Sequence, residues 1–239
     1  MCAMTDPVHP KLFQSGCMTM GLMTPAARKP GQPADVAIEL AVARRADRYG
    51  FAALWASQSP PAGADAGDAI LDDPFVWLAA IGAAAPGVAL AARLELPRHG
   101  MPQWLGAARS LQRMSGGRCM LGVTLAEDSE PARLHLEALL AQQGAERVPV
   151  LHIDGRADLQ PVVRQLHLEL DERAGAPAQQ SRQGFRGGRI ALSAALERLA
   201  ESGVAHVLVH LVRNGRPVLD VMDELGTEVV PRLALGVAP

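Results

Sequence analysis

The sequence predicts an α/β protein of the TIM type, a (β/α)8 barrel shortened by one helix–strand unit after its fifth strand. Helical periodicity, a turn and a short apolar strand follow one another along the chain, which is typical of parallel strands joined by right-handed crossovers. Seven strands are predicted, and the 239 residues fall slightly below the ~250 of a closed barrel. No GxGxxG motif follows the first strand, so a barrel is favoured over a doubly wound open sheet.

The predicted strands are short apolar or alternating runs bounded by turns, namely Thr19–Met23, Phe51–Ala56, Val88–Leu94, Arg118–Val123, Val148–Ile153, Val162–Leu170 and Val204–Leu211. The predicted helices have apolar residues spaced three to four apart, namely Ala34–Tyr49, Pro74–Ala84, Pro102–Met114, Ser129–Gln142, Ile190–Glu201 and Pro217–Leu225. The polar segment Ala174–Gln183 is predicted to be a loop.

Capping residues set the ends of several helices. In the first helix, Val36, Leu40 and Ala43 form one apolar face, and Gly50 stands where a C-terminal glycine is common. The Asp73–Pro74 pair is an N-cap followed by proline at the first helical position. Glycines end later helices in the same way, at Gly116, Gly117 and Gly203.

The composition argues against several classes of protein, including nucleic-acid-binding and membrane-spanning proteins. Hydrophobic residues make up 49% of the chain, charged residues 20%, and the net charge is −2. Interspersed charges and only 3% aromatic residues argue against nucleic-acid binding. No apolar stretch reaches the ~18 residues of a transmembrane helix, and the N-terminus lacks the pattern of a secretory signal. We therefore expect a cytoplasmic protein with one barrel domain over 19–239, preceded by an extension over 1–18.

The cysteines and histidines do not predict a metal site. The cysteines are too few and too widely spaced for a disulfide framework or a CxxC knuckle, namely Cys2, Cys17 and Cys119. Cys119 lies within a strand and is expected to be a small buried hydrophobe. His206 and His210 share one strand face but lie ~13 Å apart, too far to hold one ion. His210 and His152 either line the barrel mouth or are satisfied polar groups at strand ends.

Four segments together resemble one family. FAALWASQ at 51–58 with DAGDAILDDPFVWLAAIGAA at 65–84, LPRHGMPQW at 96–104 and MSGGRCMLGV at 114–123 are similar to segments of the luciferase-like flavin monooxygenases. GFRGGRIALSAALERLAESGVAHVLVHL at 184–211, followed by RPVLDVMDELGTEVVPRL at 216–233, is similar to the C-terminal part of one subgroup, the luciferase-like oxidoreductases. The resemblance spans about Thr19–Leu233.

This resemblance implies a barrel that holds FMN at its C-terminal mouth, or F420 in some branches. It also implies a homodimer that oxidises a small organic substrate with reduced flavin and oxygen. Ala91 and Ala92 lie where flavin rings pack in the family. Gly155 and Arg156 are what remains of the segment whose helix grips the flavin phosphate through backbone amides.

The chain departs from the family at three places. His152–Asp158 runs almost directly into the strand at Val162, so one helix–strand–helix unit is predicted to be deleted. Gln58–Ser59 replaces the glutamate–histidine pair of the luciferases, and residues 122–126 replace a G-x-x-x-G run. These departures leave a second interpretation open, a degenerate member of the family that binds flavin without turnover or binds none.

The segment Gly184–Arg189 is the strongest candidate for binding chemistry. Its glycine amides and guanidinium groups precede a helix, and helix N-termini and the loops after the last barrel strands attract phosphate. We therefore expect phosphate contacts from Arg186, Gly187, Gly188 and Arg189. The alternative is a flexible turn with solvated arginines.

His99 is the candidate catalytic residue. It follows the third strand on the mouth side, where an imidazole can face the flavin ring or take a substrate proton near neutral pH. The alternative is a histidine bonded to a neighbouring loop. An acidic cluster after the fourth strand supplies either a general base or charges that favour the helix dipole, namely Glu127, Asp128 and Glu130. The resemblance therefore implies an oxidoreductase or monooxygenase that uses FMN, with F420 less favoured.

Overall fold

The computed structural model of the protein describes residues 12–13, 16–28, 32–57, 73–96, 101–125, 134, 138, 141, 148–153, 162–181 and 184–234. Within these residues, the strands in chain order are β1 (Thr19–Thr24), β2 (Ala53–Ser57), β3 (Ala89–Leu96), β4 (Cys119–Leu125), β5 (Val150–His152), β6 (Val162–Leu170), β7 (Gln179–Ser181), β8 (Gly184–Gly187) and β9 (Val204–His210). They form one sheet with the order β5-β4-β3-β2-β1-β9-β6-β8-β7.

The sheet is parallel except at one edge, where β7 runs antiparallel to β8. All seven predicted strands are confirmed, with ends shifted by a few residues. β7 and β8 were not predicted, because β7 is polar and half of β8 is glycine, so neither shows an apolar alternation. The loop predicted over Ala174–Gln183 and the turn considered at Gly184–Gly187 are therefore corrected to include these two short strands.

The connection between β5 and β6 is short, at the position where the sequence predicts the deletion of one helix–strand unit. Nine residues, 153–161, connect β5 to β6, too few for a helix and a further parallel strand. β6 pairs with β9 instead of β5, and β9 pairs with β1. β8 lies on the other flank of β6 and pairs only with His167–Leu170. The result is a TIM-type sheet of eight parallel strands that, within the described residues, does not close.

The sheet curls toward an inner face. β2 and β9 are separated by β1, about 10 Å in a flat sheet, yet Nε1 of Trp55 lies 3.2 Å from Nε2 of His206. A Cβ atom on Gly122 of β4 would lie 2.4 Å from a ring carbon of Trp55, although β3 stands between their strands. Two apolar layers result, a small inner cluster that includes Trp55, Ala91 and Leu208, and a larger outer core between the sheet and the helices.

Most of the predicted helices are confirmed by the structure. They are α1 (Val36–Arg48), α2 (Pro74–Gly82), α3 (Met101–Met114), α4 (Arg189–Glu201) and α5 (Val218–Glu224), the last continuing through a π-helical turn (Leu225–Val229) into α6 (Val230–Ala234). Of the predicted helix Ser129–Gln142, the structure describes Leu134, Ala138 and Ala141, which are helical. No helix among the described residues is long and apolar enough to cross a membrane.

The predicted helix caps are confirmed. The Asp73 carboxylate accepts hydrogen bonds from the amides of Phe75 and Val76, which have no partner within the first turn of α2. Gly50 follows α1 with φ of +77°, a left-handed conformation that glycine adopts without steric cost.

The predicted apolar face of α1 is confirmed only in part. Ala43 is buried as predicted, but Val36 is 50% exposed, and Glu39, Val42 and Ala46 are buried as well. The face is rotated because the Glu39 carboxylate turns inward and accepts a hydrogen bond from the amide of Ala27, in the loop after β1, at 2.7 Å.

Candidate functional site

Polar side chains line the inner face of the sheet near the carboxyl ends of its strands. Side chains alternate between the two faces of a strand, and Leu208 is an inner-face residue, so His210 on β9 also faces inward. His167 on β6 is in register with it. By the same alternation, Arg93 on β3 and Thr124 on β4 face inward. Because parallel strands end on one side of a barrel, these groups surround its mouth.

His167 and His210 form a stacked pair. Their ring centroids lie 4.4 Å apart with an angle of 27° between the planes. His210 is 2% exposed, its Nε2 lies 3.2 Å from Oε1 of Gln165, and its Nδ1 has no hydrogen-bond partner. Since an amide oxygen can only accept, Nε2 of His210 carries the proton. Gln165 thus fixes the orientation of the inner ring of the pair.

Burial and nearby positive charge keep both rings neutral. Burial, together with His167 and Arg93, lowers the pKa of His210 to about 3. Burial also lowers the pKa of His167, as do the charges of Arg213 and Arg93. Nε of Arg93 donates to Oγ1 of Thr124 at 3.4 Å. Uncharged imidazoles beside a guanidinium group are suited to stabilise negative charge that develops on a substrate oxygen.

A cavity of about 410 Å³ lies beside this mouth, at the carboxyl ends of β6 and β8 and against the loop after β9. This volume is typical of small-molecule sites. Three arginines and three carboxylates balance one another in its lining, namely Arg173, Arg186, Arg216, Glu169, Asp171 and Glu172.

The cavity contains an unsatisfied donor and one weakly held arginine. Nδ2 of Asn214 is buried without a hydrogen-bond partner, while its Oδ1 accepts from the Arg216 amide at 3.0 Å. The Arg216 guanidinium is fixed by Glu224 at 2.7 Å. Arg186 lies 3.8 Å from Glu169, and both side chains are exposed, so this contact contributes little. An anion in the cavity would therefore find Arg186 available, whereas Nδ2 of Asn214 is buried and would reach the anion only if its side chain moved.

The amides at the start of α4 already have partners. The Gly188 N–H donates to the carbonyl of Ala176 at 3.0 Å, and the Ile190 N–H donates to that of Ala174 at 3.1 Å. A Cβ atom on Gly188 would lie 2.3 Å from the Ala174 carbonyl oxygen. Close packing of this loop thus explains the glycine at position 188.

The other predicted phosphate-binding residues lie near the same cavity, and their two arginines differ in the number of their ion pairs. Arg186 lines it, and Gly187 ends β8 next to Arg186. Arg189, the first residue of α4, pairs with Glu224 at 3.3 Å and with Glu228 at 3.9 Å. Among the described residues, Arg186 therefore has fewer ion-pair contacts than Arg189.

Ala91 and Ala92 lie on opposite faces of β3. Both are fully buried, Ala91 in the inner cluster with Trp55 and Ala92 in the outer core against the helices. A ring in the barrel mouth can contact Ala91 alone, so the role predicted for Ala92 does not fit its position.

Several predicted residues lie outside the described part of the chain, namely His99, Gly155, Arg156, Gln58, Ser59, Glu127, Asp128 and Glu130. His152 is the last residue of β5, and its side chain is not among those that the structure describes. Cys119 is buried as predicted, and burial raises the pKa of its thiol to about 12, which makes it inert. The described residues contain no group of three histidine, cysteine or acidic side chains that could hold a metal ion.

The site residues predicted from the sequence do not include His167, Gln165 and Arg93. A signal was present in β6, where Gln165, His167 and Glu169 occupy every second position toward the end of the strand. That alternation gives the strand one polar face near its carboxyl end. In a barrel strand, such a face lies at the mouth.

No family model and no curated protein sequence matches the chain. Solved structures match its fold. The monooxygenase RslO1 from Streptomyces bottropensis is 12% identical with a TM-score of 0.68, covering 90% of this chain and 99% of that one. The oxygenating constituent of 3,6-diketocamphane monooxygenase from Pseudomonas putida, solved with FMN, is 12% identical with a TM-score of 0.62, covering 93% and 100%.

A third similar structure is the coenzyme F420-dependent tetrahydromethanopterin reductase from Methanopyrus kandleri. It is 10% identical with a TM-score of 0.65, covering 90% of this chain and 99% of that one. At such identities the likeness is one of fold, and it supports the resemblance to luciferase-like enzymes at that level.

Proposed function

We propose that the chain is a flavin-dependent oxidoreductase that binds FMN and acts on a small organic substrate. The likeness in fold supports the general kind of activity, an oxidoreductase, since one similar protein was solved with FMN and another depends on F420. Reaction with oxygen, as in a monooxygenase, is the more specific form of the proposal, because two of the three similar structures described above are monooxygenases. A homodimer and a cytoplasmic location stay predictions.

The cavity beside the barrel mouth carries this proposal. In this proposal the Asn214 side chain turns toward the cavity, so that its buried and unpaired N–H group donates to a phosphate oxygen. The Arg186 guanidinium, whose ion-pair partner in the described residues is an exposed carboxylate, can turn toward a phosphate and bind it through two N–H groups. These donors fit the phosphate of FMN. In this proposal, Gly187, Gly188 and Arg189 border the phosphate.

When bound, the flavin supplies the redox chemistry. The chain's own residues shape the space around it. Trp55 is fully buried and fills the inner face below the mouth, so the substrate binds above it. Ala91 offers a small apolar surface for the ring, while neutral His167 and charged Arg93 form a polar side where a substrate oxygen can be held. His99, Gly155 and Arg156 remain predicted contacts.

One observation favours the alternative, a degenerate protein that binds flavin without turnover or binds none. The amides of Gly188 and Ile190, at the helix terminus where the sequence predicts phosphate contacts, already donate to backbone carbonyls. A phosphate could reach them only by displacing those carbonyls.

The visible absorption spectrum of protein purified without added flavin, followed by separate titrations with FMN and F420, tests the proposal. We expect saturable FMN binding that Arg186→Ala and Asn214→Ala each weaken by about tenfold, the scale of one lost charge-assisted hydrogen bond. Arg198→Ala, an exposed arginine near the other end of α4, is the matched control and should bind FMN like the wild type. Folded protein that binds neither cofactor would overturn the proposal and favour the alternative.

A further inference from the structure

His167 is a half-buried imidazole with no hydrogen bond to the described part of the protein. Its ring stacks on His210 at a centroid distance of 4.4 Å, and only the inner ring of the pair is held, through Gln165. Of the two rings, only that of His210 is therefore held in place by a hydrogen bond among the described residues. The nitrogens of His167 remain able to bond a ligand in the barrel mouth.

The groups that face His167 keep it neutral and surround it with positive charge. Arg93 from β3 and Arg213 from the loop after β9 both lower its pKa, in addition to burial. Glu169, two residues further along β6, lies next to Arg186. A neutral imidazole offers one N–H donor and one nitrogen acceptor. Its hydrogen-bonding capacity is therefore balanced between donation and acceptance.

We propose that His167 binds the substrate through a hydroxyl group, so that the substrate of the proposed oxidoreductase is a small neutral hydroxyl compound. A hydroxyl group can donate to the unprotonated nitrogen of the neutral ring while its oxygen faces the positive charge of Arg93. A carboxylate has no proton to donate to that nitrogen, and an ammonium is repelled by the charge of Arg93. When the hydroxyl donates to the ring, Arg93 stabilises the partial negative charge on its oxygen. The inference rests on the proposed function for the presence of a substrate in the mouth.

His210 acts through His167 as a positioning residue. It is in register with His167 on the neighbouring strand, and its own ring is locked by Gln165. The stack sets the plane of the His167 ring and hence the direction of its nitrogens. Another aromatic ring at position 210 would preserve this plane, whereas a methyl group would not.

A matched pair of probes tests the inference in the full-length protein, with and without FMN. We expect 4-methylphenol to bind about tenfold more tightly than its methyl ether, 4-methylanisole, the scale of one hydrogen bond. The phenol should shift the nitrogen-15 resonances of His167. His167→Phe should abolish the preference for the phenol, and His210→Ala should weaken it, whereas His210→Phe should restore it.

Equal dissociation constants for the two probes, or phenol binding that leaves the His167 resonances unchanged, would overturn the inference. If His167→Phe does not fold, the wild-type nitrogen-15 shift decides the matter. A parallel titration with FMN, read by absorbance, reports on the proposed function separately. Binding of FMN without a hydroxyl preference rejects this inference alone, whereas a hydroxyl preference without FMN binding rejects the proposed function.

Discussion

The indole Nε1 of Trp55 donates a hydrogen bond to Nε2 of His206 across the inner face of the sheet, at 3.2 Å. Nδ1 of His206 lies 2.7 Å from Oγ1 of Thr19, so both nitrogens of this fully buried ring are satisfied. Glycines make room for the pair, since a Cβ atom on Gly21 would lie 2.6 Å from Nε2 of His206. Trp55 and His206 thus form a fixed base beneath the barrel mouth.

Gly122→Ala should destabilise the protein by about 2 kcal/mol, in the range of overpacked cores. The added methyl group would lie 2.3 Å from Cδ1 of Ile153 and 2.4 Å from the Trp55 ring, so at least one of them must move. The matched control is Gly106→Ala in α3, where the new methyl group meets no neighbouring atom. It should stabilise the protein by about 0.5–1 kcal/mol. Urea unfolding measures both, and equal effects of the two substitutions would contradict the prediction.

Acid should destabilise the protein through His206 and His210. Burial lowers the pKa of each to about 3, from an ordinary value of 6.5. Between these values the unfolded chain binds protons that the native protein does not, so the free energy of unfolding falls as pH decreases from 6.5 toward 3. Urea midpoints between pH 7.5 and pH 5 measure the slope. His206→Gln, which cannot titrate, should make the slope shallower, and an unchanged slope would show that His206 is not neutral in the native state.

The sequence predicts those parts of the fold whose signal is local. Apolar runs predicted seven of the nine strands. Asp73 and Gly50 predicted helix ends, because capping depends on neighbouring residues. The buried face of α1 was predicted only in part, because Glu39 is held inside by a hydrogen bond to the loop after β1, which residue spacing does not show. The pairing of His167 with His210 likewise depends on strand order. The order β1-β9-β6-β8 cannot be read from residue spacing, so these site residues were missed.

Arg118, the last residue of the segment Ser115–Arg118, holds neighbouring loops together through hydrogen bonds to their backbone. Its guanidinium group donates to four backbone carbonyls at 2.7–3.3 Å, those of Ser115, Ala85, Val88 and Gly82. Arg118→Ala would leave these acceptors without their donor, and we expect a loss of about 2–3 kcal/mol in the free energy of unfolding. Arg118→Lys should recover less than half of it, because an ammonium lacks the planar fork. Urea denaturation tests this, with Arg198→Ala expected within ~0.5 kcal/mol of the wild type.

Glu39 is a buried carboxyl group with only one of its two oxygens satisfied. Oε1 accepts from the Ala27 amide at 2.7 Å, and Oε2 has no hydrogen-bond partner. Burial raises the pKa of Glu39 above its ordinary value of 4.5. The native state therefore holds this proton more tightly than the unfolded chain, so the contribution of Glu39 to stability is fully present below pH 4.5 and is lost as pH rises through the native pKa.

Glu39→Gln should consequently stabilise the protein at pH 8, by about 1 kcal/mol, because an amide stays neutral and its oxygen can still accept from Ala27. The gain should shrink toward zero at pH 4.5, where the wild-type carboxyl group is itself protonated. Urea midpoints at the two pH values measure the difference, and Glu197→Gln on the exposed face of α4 is the matched control. A variant less stable than the wild type at pH 8 would mean that the native protein holds Glu39 as a charged group, stabilised by the backbone amides of Ala27 and Ala26.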